Sequence, residues 1–500
     1  MTGHTSGVPI VVRDVSVLLH VPALMALLTL PVCWLTDDAG TPFSLYLTAT
    51  IATTIGQIGF RLTRGAGSTR LHHAMLTAAL SWLLIPTLSA LPFLLQPMPY
   101  ANPTVAVLAE PLHALFESFS GFTGTGLTVA PHPSELPTGL HWWRTLSQWI
   151  GGIGVIALML TVLDSNTGFY RLYYSEARSR KLLPTVSGTA RAIWKLFVGM
   201  SVLSVLALWL AGLPWWHALN HGLTAVSTGG FSVTDDSFAS YGRAPRLVGI
   251  ALMFAGAISF GVYYRMLRER HPGELWRDLQ SRGLILLAVG GLLTCVLVSS
   301  STGVSLAQTE RLLFQWSSAL ATAGLSVAPV ATDGTLVLLL LVAGMSVGAA
   351  AGSTGGGIKQ YRLWLILQGI RWEVRNYLKL PDQVLSYHFD RNTMPERDAT
   401  RMIARATLFV AVWVGIAVVA GFVLLATLPP DSGYGLDDVI FEAVSAQANV
   451  GLSTGITGHD MPVSSEITLM VVMWIGRLEI IPVLVLLRGV AHVADRSPAR

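Results

Sequence analysis

The chain has 500 residues, of which 52% are hydrophobic and only 12% are charged, and its formal net charge at pH 7 is +4. Soluble proteins carry about a quarter charged residues, so this composition excludes an ordinary soluble domain, and the small net charge disfavours a nucleic-acid-binding protein. It indicates a polytopic membrane protein with many helical spans of roughly 20 residues. The two cysteines, Cys33 and Cys295, lie in apolar segments and predict neither a disulfide framework nor a metal site.

Apolar segments long enough to cross a bilayer follow one another along the chain. Two come first, at Val15–Leu35 and Phe43–Phe60, and eight more flank four short segments that end in glycine. The eight are His73–Leu95 and His141–Leu163, Ala190–Leu213 and Leu247–Met266, Leu284–Ser300 and Leu336–Ile370, and Ile403–Leu428 and Ile467–Val490. The order of span, short segment and span occurs four times and predicts four repeats after two leading helices.

The four short segments are similar when they are aligned on Gly126, Gly229, Gly324 and Gly451. A polar residue stands nine positions before each glycine, and a small residue stands five positions before it. The polar residues are Glu117, Asn220, Gln315 and Glu442, and the small ones are Gly121, Thr224, Ala319 and Ala446. Each segment is too short to cross a bilayer and is predicted to be a re-entrant hairpin.

Irregular backbone at membrane depth survives only where protein buries it or water reaches it, so four hairpins predict a shared central axis. The predicted fold is an all-α polytopic membrane protein with four span–hairpin–span repeats around a central pore with fourfold pseudosymmetry. The predicted domains are residues 1–68 for the leading helices and residues 69–170, 171–272, 273–392 and 393–500 for the repeats.

Charged residues distinguish the two sides of the membrane. The segments between repeats are basic, with Arg61, Arg64, Arg70, Arg171, Arg178, Arg180, Lys181, Arg265, Arg268, Arg270, Arg371, Arg375, Lys379 and Arg391. The segments that hold the hairpins are acidic, with Glu110, Asp235, Asp236, Asp431, Asp437 and Asp438. The positive-inside rule therefore predicts that the hairpins face outward and that both termini are cytoplasmic. The acidic residues are compatible with a vestibule that concentrates cations and equally with ordinary solvated loops.

The glycine-ended hairpins suit a filter for a cation. A potassium ion sheds water only if other oxygens replace it, as rings of backbone carbonyls do in potassium channels. Aiming successive carbonyls at one axis requires backbone conformations that favour glycine, and helix C-termini add their negative dipole ends. The predicted filter residues are Gly124, Thr125, Gly126, Ser227, Thr228, Gly229, Thr322, Ala323, Gly324, Asn449, Val450 and Gly451. The alternative, small residues that serve tight helix packing, explains one such segment better than four.

Five motifs make the chain resemble the Trk/Ktr/HKT superfamily of potassium-uptake proteins, and most closely its bacterial TrkH type. They are SGFTGTGLT, QWIGGIGVIAL (Gln148–Leu158), STGGFS (Ser227–Ser232), GSTGGGIK (Gly352–Lys359) and GRLEIIPVLVL (Gly476–Leu486). The resemblance implies potassium rather than sodium, because all four aligned filter positions are glycine. Gly124 departs from the threonine usual in relatives, which makes the first filter strand more pliable.

The resemblance also implies a homodimer in the bacterial inner membrane with a cytoplasmic, nucleotide-binding regulatory partner of the TrkA type. The basic inner loops, including Arg371–Arg375, are compatible with docking such a partner and also with ordinary positive-inside charge. No nucleotide site is visible in this chain, so potassium is expected as the transported ion, without an organic cofactor.

The run GAAAGSTGGG (Gly348–Gly357) breaks the last span of the third repeat. The resemblance implies that this run is an intramembrane gate below the filter. The alternative is a static kink satisfied by its neighbours. The predicted gate residues are Gly348, Gly352, Ser353, Thr354, Gly355, Gly356, Gly357, Lys359 and Arg477. Lys359, at the foot of the broken span, is interpreted as an interfacial residue that snorkels.

Arg477 places a charge inside an apolar span, which costs about 2.5–3.5 kcal/mol on insertion scales. The resemblance implies an electrostatic barrier in the pore below the filter. The alternative is a structural ion pair with Glu479 or Glu442.

Literal enzyme motifs also occur, but their context excludes them. Gly451–Gly455 matches the nucleophile elbow G-x-S-x-G and Gly152–Ala157 resembles a dinucleotide fingerprint, yet one follows an apolar helical segment and the other lies inside a span. No enzyme is predicted. Within transport, a potassium symporter coupled to protons or sodium, or a less selective potassium and sodium pathway, stays open. Inverted repeats are typical of symporters, whereas these four repeats share one orientation.

Overall fold

The computed structural model describes residues 7–97, 102–163, 186–301, 305–380, 387–389 and 392–494. The predicted boundary between the first two repeats, at residues 170 and 171, lies outside these ranges. The same holds for the basic residues Arg171, Arg178, Arg180, Lys181 and Arg391. Among the described helices, five are long and apolar enough to cross a membrane, or up to seven if each sharply bent pair counts as one span.

The chain begins with a leading pair of helices. The first, Val8–Leu18, continues almost directly into His20–Leu35, and together they form one apolar span of 28 residues. The second is Thr41–Thr63, with Pro42 in its first turn, where the missing N–H group has no helical partner to lose. These helices pack against each other and against the first helix of repeat 1.

Each repeat consists of a first span, a shorter helix that we call its pore helix, and a second span. The first spans are Leu71–Ser89 with Leu91–Leu94, Val186–Leu210, Leu279–Ser301 and Glu396–Thr427. Pore helices 1 to 4 are Pro111–Thr123, Trp215–Val226, Leu306–Ala321 and Leu436–Gln447. The second spans are Thr138–Leu163, Arg243–Ala257 with Phe260–Glu269, Thr335–Val347 with Gln360–Tyr377, and Val463–Arg477 with Ile481–Ala494.

Short elements connect these helices. They are the helices Pro103–Leu108 and Glu274–Arg277 and the 3-10 turns Pro133–Glu135 and Val330–Asp333. A small antiparallel hairpin, β1 (Tyr387–Phe389) and β2 (Asn392–Met394), pairs His388 with Thr393 ahead of repeat 4.

The repeats form a closed ring. The second span of each repeat packs against the pore helix of the next one, from repeat 1 to repeat 2 and on to repeat 4. The second span of repeat 4, Val463–Arg477, packs against pore helix 1 and closes the ring. Helices of repeat 4 contribute to both large hydrophobic clusters, one shared with the leading helices and repeat 1 and the other shared with repeats 2 and 3.

Two predicted second spans each consist of two helices that meet at a sharp bend. The bend within Leu247–Met266 is 92° and follows Ala257, and the bend within Ile467–Val490 is 111° and follows Arg477. At the first break, the Phe260 N–H donates to the Gly352 carbonyl at 3.0 Å and the Ala257 carbonyl accepts from Ala350 at 3.0 Å. The broken span of repeat 3 therefore supplies partners for backbone groups that the bend in repeat 2 releases.

Candidate functional site

Every pore helix ends in a three-residue turn of the same geometry, which we call glycine turns 1 to 4. The turns are Gly124–Gly126, Thr228–Gly230, Thr322–Gly324 and Asn449–Gly451. The first residue of each is left-handed, with φ between +51° and +66°. The second donates its N–H to a carbonyl five residues back, as Thr125 does to Ser120 at 2.9 Å and Gly229 to Thr224 at 2.8 Å. This is a common way to end a helix, and it leaves the third residue, a glycine with positive φ, at the same place in each repeat.

The structure corrects the sequence alignment in repeat 2 by one residue. Gly230, with φ +84°, takes the place of Gly126, Gly324 and Gly451, and the predicted Gly229 occupies the middle of the turn. Ser227 caps pore helix 2 and lies before the turn. The error arose because the segment contains two adjacent glycines, and sequence alone does not indicate which of them adopts the left-handed conformation.

The four turns meet in a ring of main-chain oxygens. A Cβ atom on the glycine of each turn would overlap with the carbonyl oxygen of the middle residue in a neighbouring turn. The pairs are Gly126 with Gly229, Gly230 with Ala323, Gly324 with Val450, and Gly451 with Thr125. The last pair joins repeat 4 to repeat 1, so the sequence of contacts is closed. Only glycine allows this approach at all four positions.

Two buried amide side chains support the ring. Gln148 donates its Nε2 to the Gly229 carbonyl, and its Oε1 accepts from the Phe231 N–H at 3.0 Å. Asn449 donates its Nδ2 to both Thr125 Oγ1 and the Met473 carbonyl, each at 2.9 Å. The supporting role of Gln148 was not predicted, although a glutamine in an apolar span is itself a signal, because a buried amide needs hydrogen-bond partners.

Outside the ring lies a cavity of about 300 Å³, which we call the mouth. Glycine turns 1 and 4 form part of its wall through Gly126 and Gly451. The rest of the lining consists of Leu127, Thr128, Pro329, Ala331, Ser453, Thr454, Gly455 and Thr457. Four of these residues, Thr128, Ser453, Thr454 and Thr457, bring hydroxyl groups to the lining next to turns 1 and 4.

On the side of the ring opposite the mouth, the run Gly348–Gly357, which we call the inner loop, contacts the ends of three pore helices. Thr354 Oγ1 donates to the Val226 carbonyl at 2.9 Å, at the end of pore helix 2. The Gly356 N–H donates to Thr322 Oγ1 at 2.8 Å, and the Gly357 N–H donates to the Ala448 carbonyl at 3.0 Å. The loop thus lies directly against the inner ends of pore helices 2, 3 and 4.

Arg477 is buried beside the inner loop. Its Nη1 donates to the Thr354 carbonyl at 2.8 Å and its Nη2 donates to the Gly151 carbonyl at 2.9 Å. A Cβ atom on Gly124 would lie 3.6 Å from Nη2, so the guanidinium group lies under glycine turn 1. The alternative of a structural ion pair is wrong, because Glu479 pairs with Arg362, and Glu442 bonds to residues of the mouth.

Comparison with known proteins identifies the family of this chain. The family model described as TrkH, cation transport protein, covers residues 46–492 of the chain. The chain belongs to this family. The predicted resemblance and the predicted all-α polytopic fold class are thereby confirmed. This is a family of membrane cation transporters and not of enzymes.

Individual relatives of the TrkH family cover most of the chain. The Trk system potassium uptake protein TrkH of Halomonas elongata is 33% identical over 437 residues, which are 83% of this chain and 85% of that protein. An uncharacterized cation transporter of Methanocaldococcus jannaschii is 32% identical over 419 residues, which are 83% of this chain and 82% of that protein. The crystal structure of the potassium transporter TrkH from Vibrio parahaemolyticus matches with a TM-score of 0.82 at 26% sequence identity. The match covers 96% of this chain and 98% of that one.

The interpretation of Lys359 as an interfacial, snorkelling residue of this TrkH-family chain is wrong. The side chain is 6% exposed, and its Nζ donates to the Gly355 carbonyl inside the inner loop. The backbone of Lys359 is left-handed, with φ +75°, and the bond from its side chain reaches a carbonyl four residues earlier in the chain. Next to it, Arg362 forms an ion pair with Glu479 at the break of the last span and stacks over Phe409 at 3.7 Å.

Proposed function

We propose that this protein is a potassium-uptake pore in which the four glycine turns form the selectivity filter. The observation that carries the proposal is the closed ring of contacts between each turn's glycine and a middle-residue carbonyl of a neighbouring turn. Relatives described as potassium uptake proteins support potassium as the ion. In this proposal the filter residues are those predicted in repeats 1, 3 and 4, together with Thr228, Gly229 and Gly230 in repeat 2.

The chemistry of the ring supports a monovalent cation. Carbonyl dipoles replace the hydration shell of an ion at a similar energy, and the pore helices direct their negative C-terminal ends toward the same point. The turns themselves contain no carboxylate, since their residues are Gly, Thr, Ala, Asn and Val. Selectivity then depends on the number and spacing of main-chain oxygens rather than on a ring of fixed negative charges.

The inner loop serves as the gate in this proposal, and Arg477 serves as an electrostatic barrier. The gate residues are Gly348, Gly352, Ser353, Thr354, Gly355, Gly356, Gly357 and Lys359. Glycines absorb the backbone rotations that a moving loop needs. The guanidinium group donates to the Thr354 carbonyl of the loop, so movement of the gate and displacement of the charge are coupled.

The proposal places the protein in the bacterial inner membrane as a homodimer, with both termini in the cytoplasm. Its regulation is assigned to a cytoplasmic nucleotide-binding subunit of the TrkA type, since relatives are described as parts of a Trk system. Potassium is the transported ion, and nucleotides act through the partner.

Ion flux through the purified protein in liposomes tests the proposal. Uptake of rubidium as a potassium analogue is expected to exceed uptake of sodium, and potassium is expected to compete with rubidium. Gly324→Ala is expected to raise sodium flux relative to rubidium flux, because the new Cβ displaces the Val450 carbonyl. Gly290→Ala is the matched control, since its Cβ would meet nothing within 4 Å. Equal rubidium and sodium flux in the unmodified protein would overturn the filter assignment.

A further inference from the structure

The corrected alignment identifies four equivalent positions behind the glycine turns. Nine residues before Gly126, Gly230, Gly324 and Gly451 stand Glu117, His221, Gln315 and Glu442. All four side chains are buried, with exposures of 1% or less. Two are not carboxylic acids: His221 Nε2 forms a hydrogen bond with the Tyr241 hydroxyl at 3.2 Å, and Gln315 donates to the Ala328 carbonyl at 2.8 Å. The remaining two are carboxylates in different surroundings.

The carboxylate of repeat 1 has a counter-charge. Arg144 Nε donates to Glu117 Oε1 at 2.7 Å, and both side chains are at most 2% exposed. The same carboxylate accepts from Thr128 Oγ1 at 2.9 Å, and Thr128 lines the mouth. Glu117 is therefore hydrogen-bonded to a residue that lines the mouth, but the buried Arg144 compensates its charge.

The carboxylate of repeat 4 occupies the same place without a counter-charge. Glu442 accepts from Ser453 Oγ at 2.9 Å, from the Thr454 N–H at 3.0 Å and from the Thr457 N–H at 3.2 Å. These three residues line the mouth. Within the part of the chain that the structure describes, no Lys, Arg or His forms an ion pair with Glu442.

The missing counter-charge has a specific origin in the sequence. Arg144 follows Glu117 by 27 residues, and 27 residues after Glu442 stands Leu469, which is fully buried. The two second spans are equivalent in structure, because Gly151 and Gly476 lie against the carbonyls of Phe122 and Gln447. Each of these carbonyls precedes the glycine of its turn by four residues. Leu469 therefore replaces Arg144 in repeat 4.

Burial raises the pKa of the Glu442 carboxyl, and the hydrogen bonds from Thr457, Thr454 and Ser453 act in the opposite direction and favour its ionised form. Each of its two oxygens accepts a backbone N–H, from Thr454 at Oε2 and from Thr457 at Oε1. Backbone donors cannot reverse their direction, and hydrogen bonds to the charged form of a carboxyl group stabilise that form. Protein rather than water separates this negative charge from the cavity, and the lower dielectric of protein makes its field at the mouth stronger than it would be across the same distance of water.

We infer that Glu442 sets the apparent affinity of the mouth for the incoming monovalent cation. It is a positioning residue that acts through the wall formed by Ser453, Thr454 and Thr457. Its uncompensated charge lowers the energy of a cation on the repeat 4 side of the mouth, before the ion enters the ring. This inference rests on the proposed function, and it assigns the electrostatic attraction to one repeat and not to all four.

The test is rubidium uptake into proteoliposomes as a function of rubidium concentration. Glu442→Gln keeps the size and removes the charge, and it is expected to raise the half-saturating concentration about threefold to tenfold with little change in maximal rate. The shift is expected to shrink at high concentrations of an impermeant salt, because salt screens the field at the mouth. A structural role would instead lower the maximal rate and leave the half-saturating concentration and its salt dependence unchanged.

A second substitution tests the same charge without altering the carboxylate. Leu469→Arg places a cation where repeat 1 has one and is expected to raise the half-saturating concentration as Glu442→Gln does. Leu469→Met is the size-matched neutral control. If both charge-altering variants fold and neither changes the half-saturating concentration, the inference is overturned. If the unmodified protein takes up rubidium in the same assay, the proposed function stands whatever the variants do. Failure of this inference can therefore be distinguished from failure of the proposed function.

Discussion

The Nδ2 atom of Asn449 lies 2.9 Å from Thr125 Oγ1, which joins the last glycine turn to the first across 324 residues of sequence. Asn449 suits this place because its short amide side chain tolerates the left-handed conformation, here with φ +53°, and reaches two acceptors. The bond closes the ring with a side chain at the junction between the chain's first and fourth repeats.

Removing the acceptor of this bond is expected to weaken the ring. Thr125→Val keeps the size of the side chain but leaves the buried Asn449 amide without one partner, which costs about 1–3 kcal/mol. We expect a lower thermal unfolding temperature in detergent and a lower ratio of rubidium to sodium flux. Thr125→Ser retains the hydroxyl and serves as the control. Unchanged selectivity in the valine variant would show that the bond does not hold the filter geometry.

Arg477→Ala is expected to increase ion flux. The guanidinium group lies 3.6 Å from the Cβ position of Gly124, and in the proposed pore its positive charge opposes a cation that leaves the ring on that side. Lowering the barrier by about 1.4 kcal/mol corresponds to a roughly tenfold faster rate. Single-channel conductance in planar bilayers measures this directly. Arg477→Lys keeps the charge on a shorter side chain, and its conductance is expected to lie between those of the unmodified protein and Arg477→Ala. Lower expression of Arg477→Ala with an unchanged single-channel conductance would indicate a purely structural residue.

Weakening the contact between the inner loop and pore helix 2 is expected to raise basal flux. Thr354→Val removes the hydroxyl that donates to the carbonyls of Val226 and Gly256 at 2.9 Å and 3.0 Å. Ser353→Ala is the neighbouring control, because among the described residues the Ser353 hydroxyl bonds within the loop, to the Ala350 carbonyl. Rubidium efflux without a regulatory subunit provides the measurement. A folded Thr354→Val protein with unchanged efflux would count against a gate at this loop.

Substituting alanine for a closely packed glycine and for an exposed one is expected to change the stability of the protein in opposite directions. Gly476→Ala is expected to destabilise the protein, because its Cβ would overlap with the Gln447 carbonyl, which is backbone and cannot rotate away. Gly199→Ala is expected to stabilise it by about 0.5–1 kcal/mol, since this exposed helical glycine has open space around its Cβ position. Thermal unfolding of both variants in the same detergent compares them. Equal melting temperatures would contradict the close approach at Gly476.

Much of the architecture is readable from local patterns. Apolar segments of bilayer length indicate the spans, because crossing a membrane requires about 20 apolar residues whatever lies beside them. The short glycine-ended segments indicate four equivalent turns, since few residues besides glycine adopt φ values such as the +98° of Gly451. Both signals depend on properties of neighbouring residues along the chain.

Other features depend on contacts between distant segments, and sequence patterns missed them. Ile258 and Ser259 carry no helix-breaking signal, yet the helix bends there because the inner loop bonds to the backbone groups that the bend releases. Ile480 adopts φ +67°, which is unfavourable for a β-branched residue, at the break where Glu479 pairs with Arg362. The choice between Gly229 and Gly230, and the burial of Lys359, likewise follow from which partners the assembled ring supplies. Local propensity selects helices and turns, whereas the partners for backbone groups and charges inside a membrane come only from the other repeats.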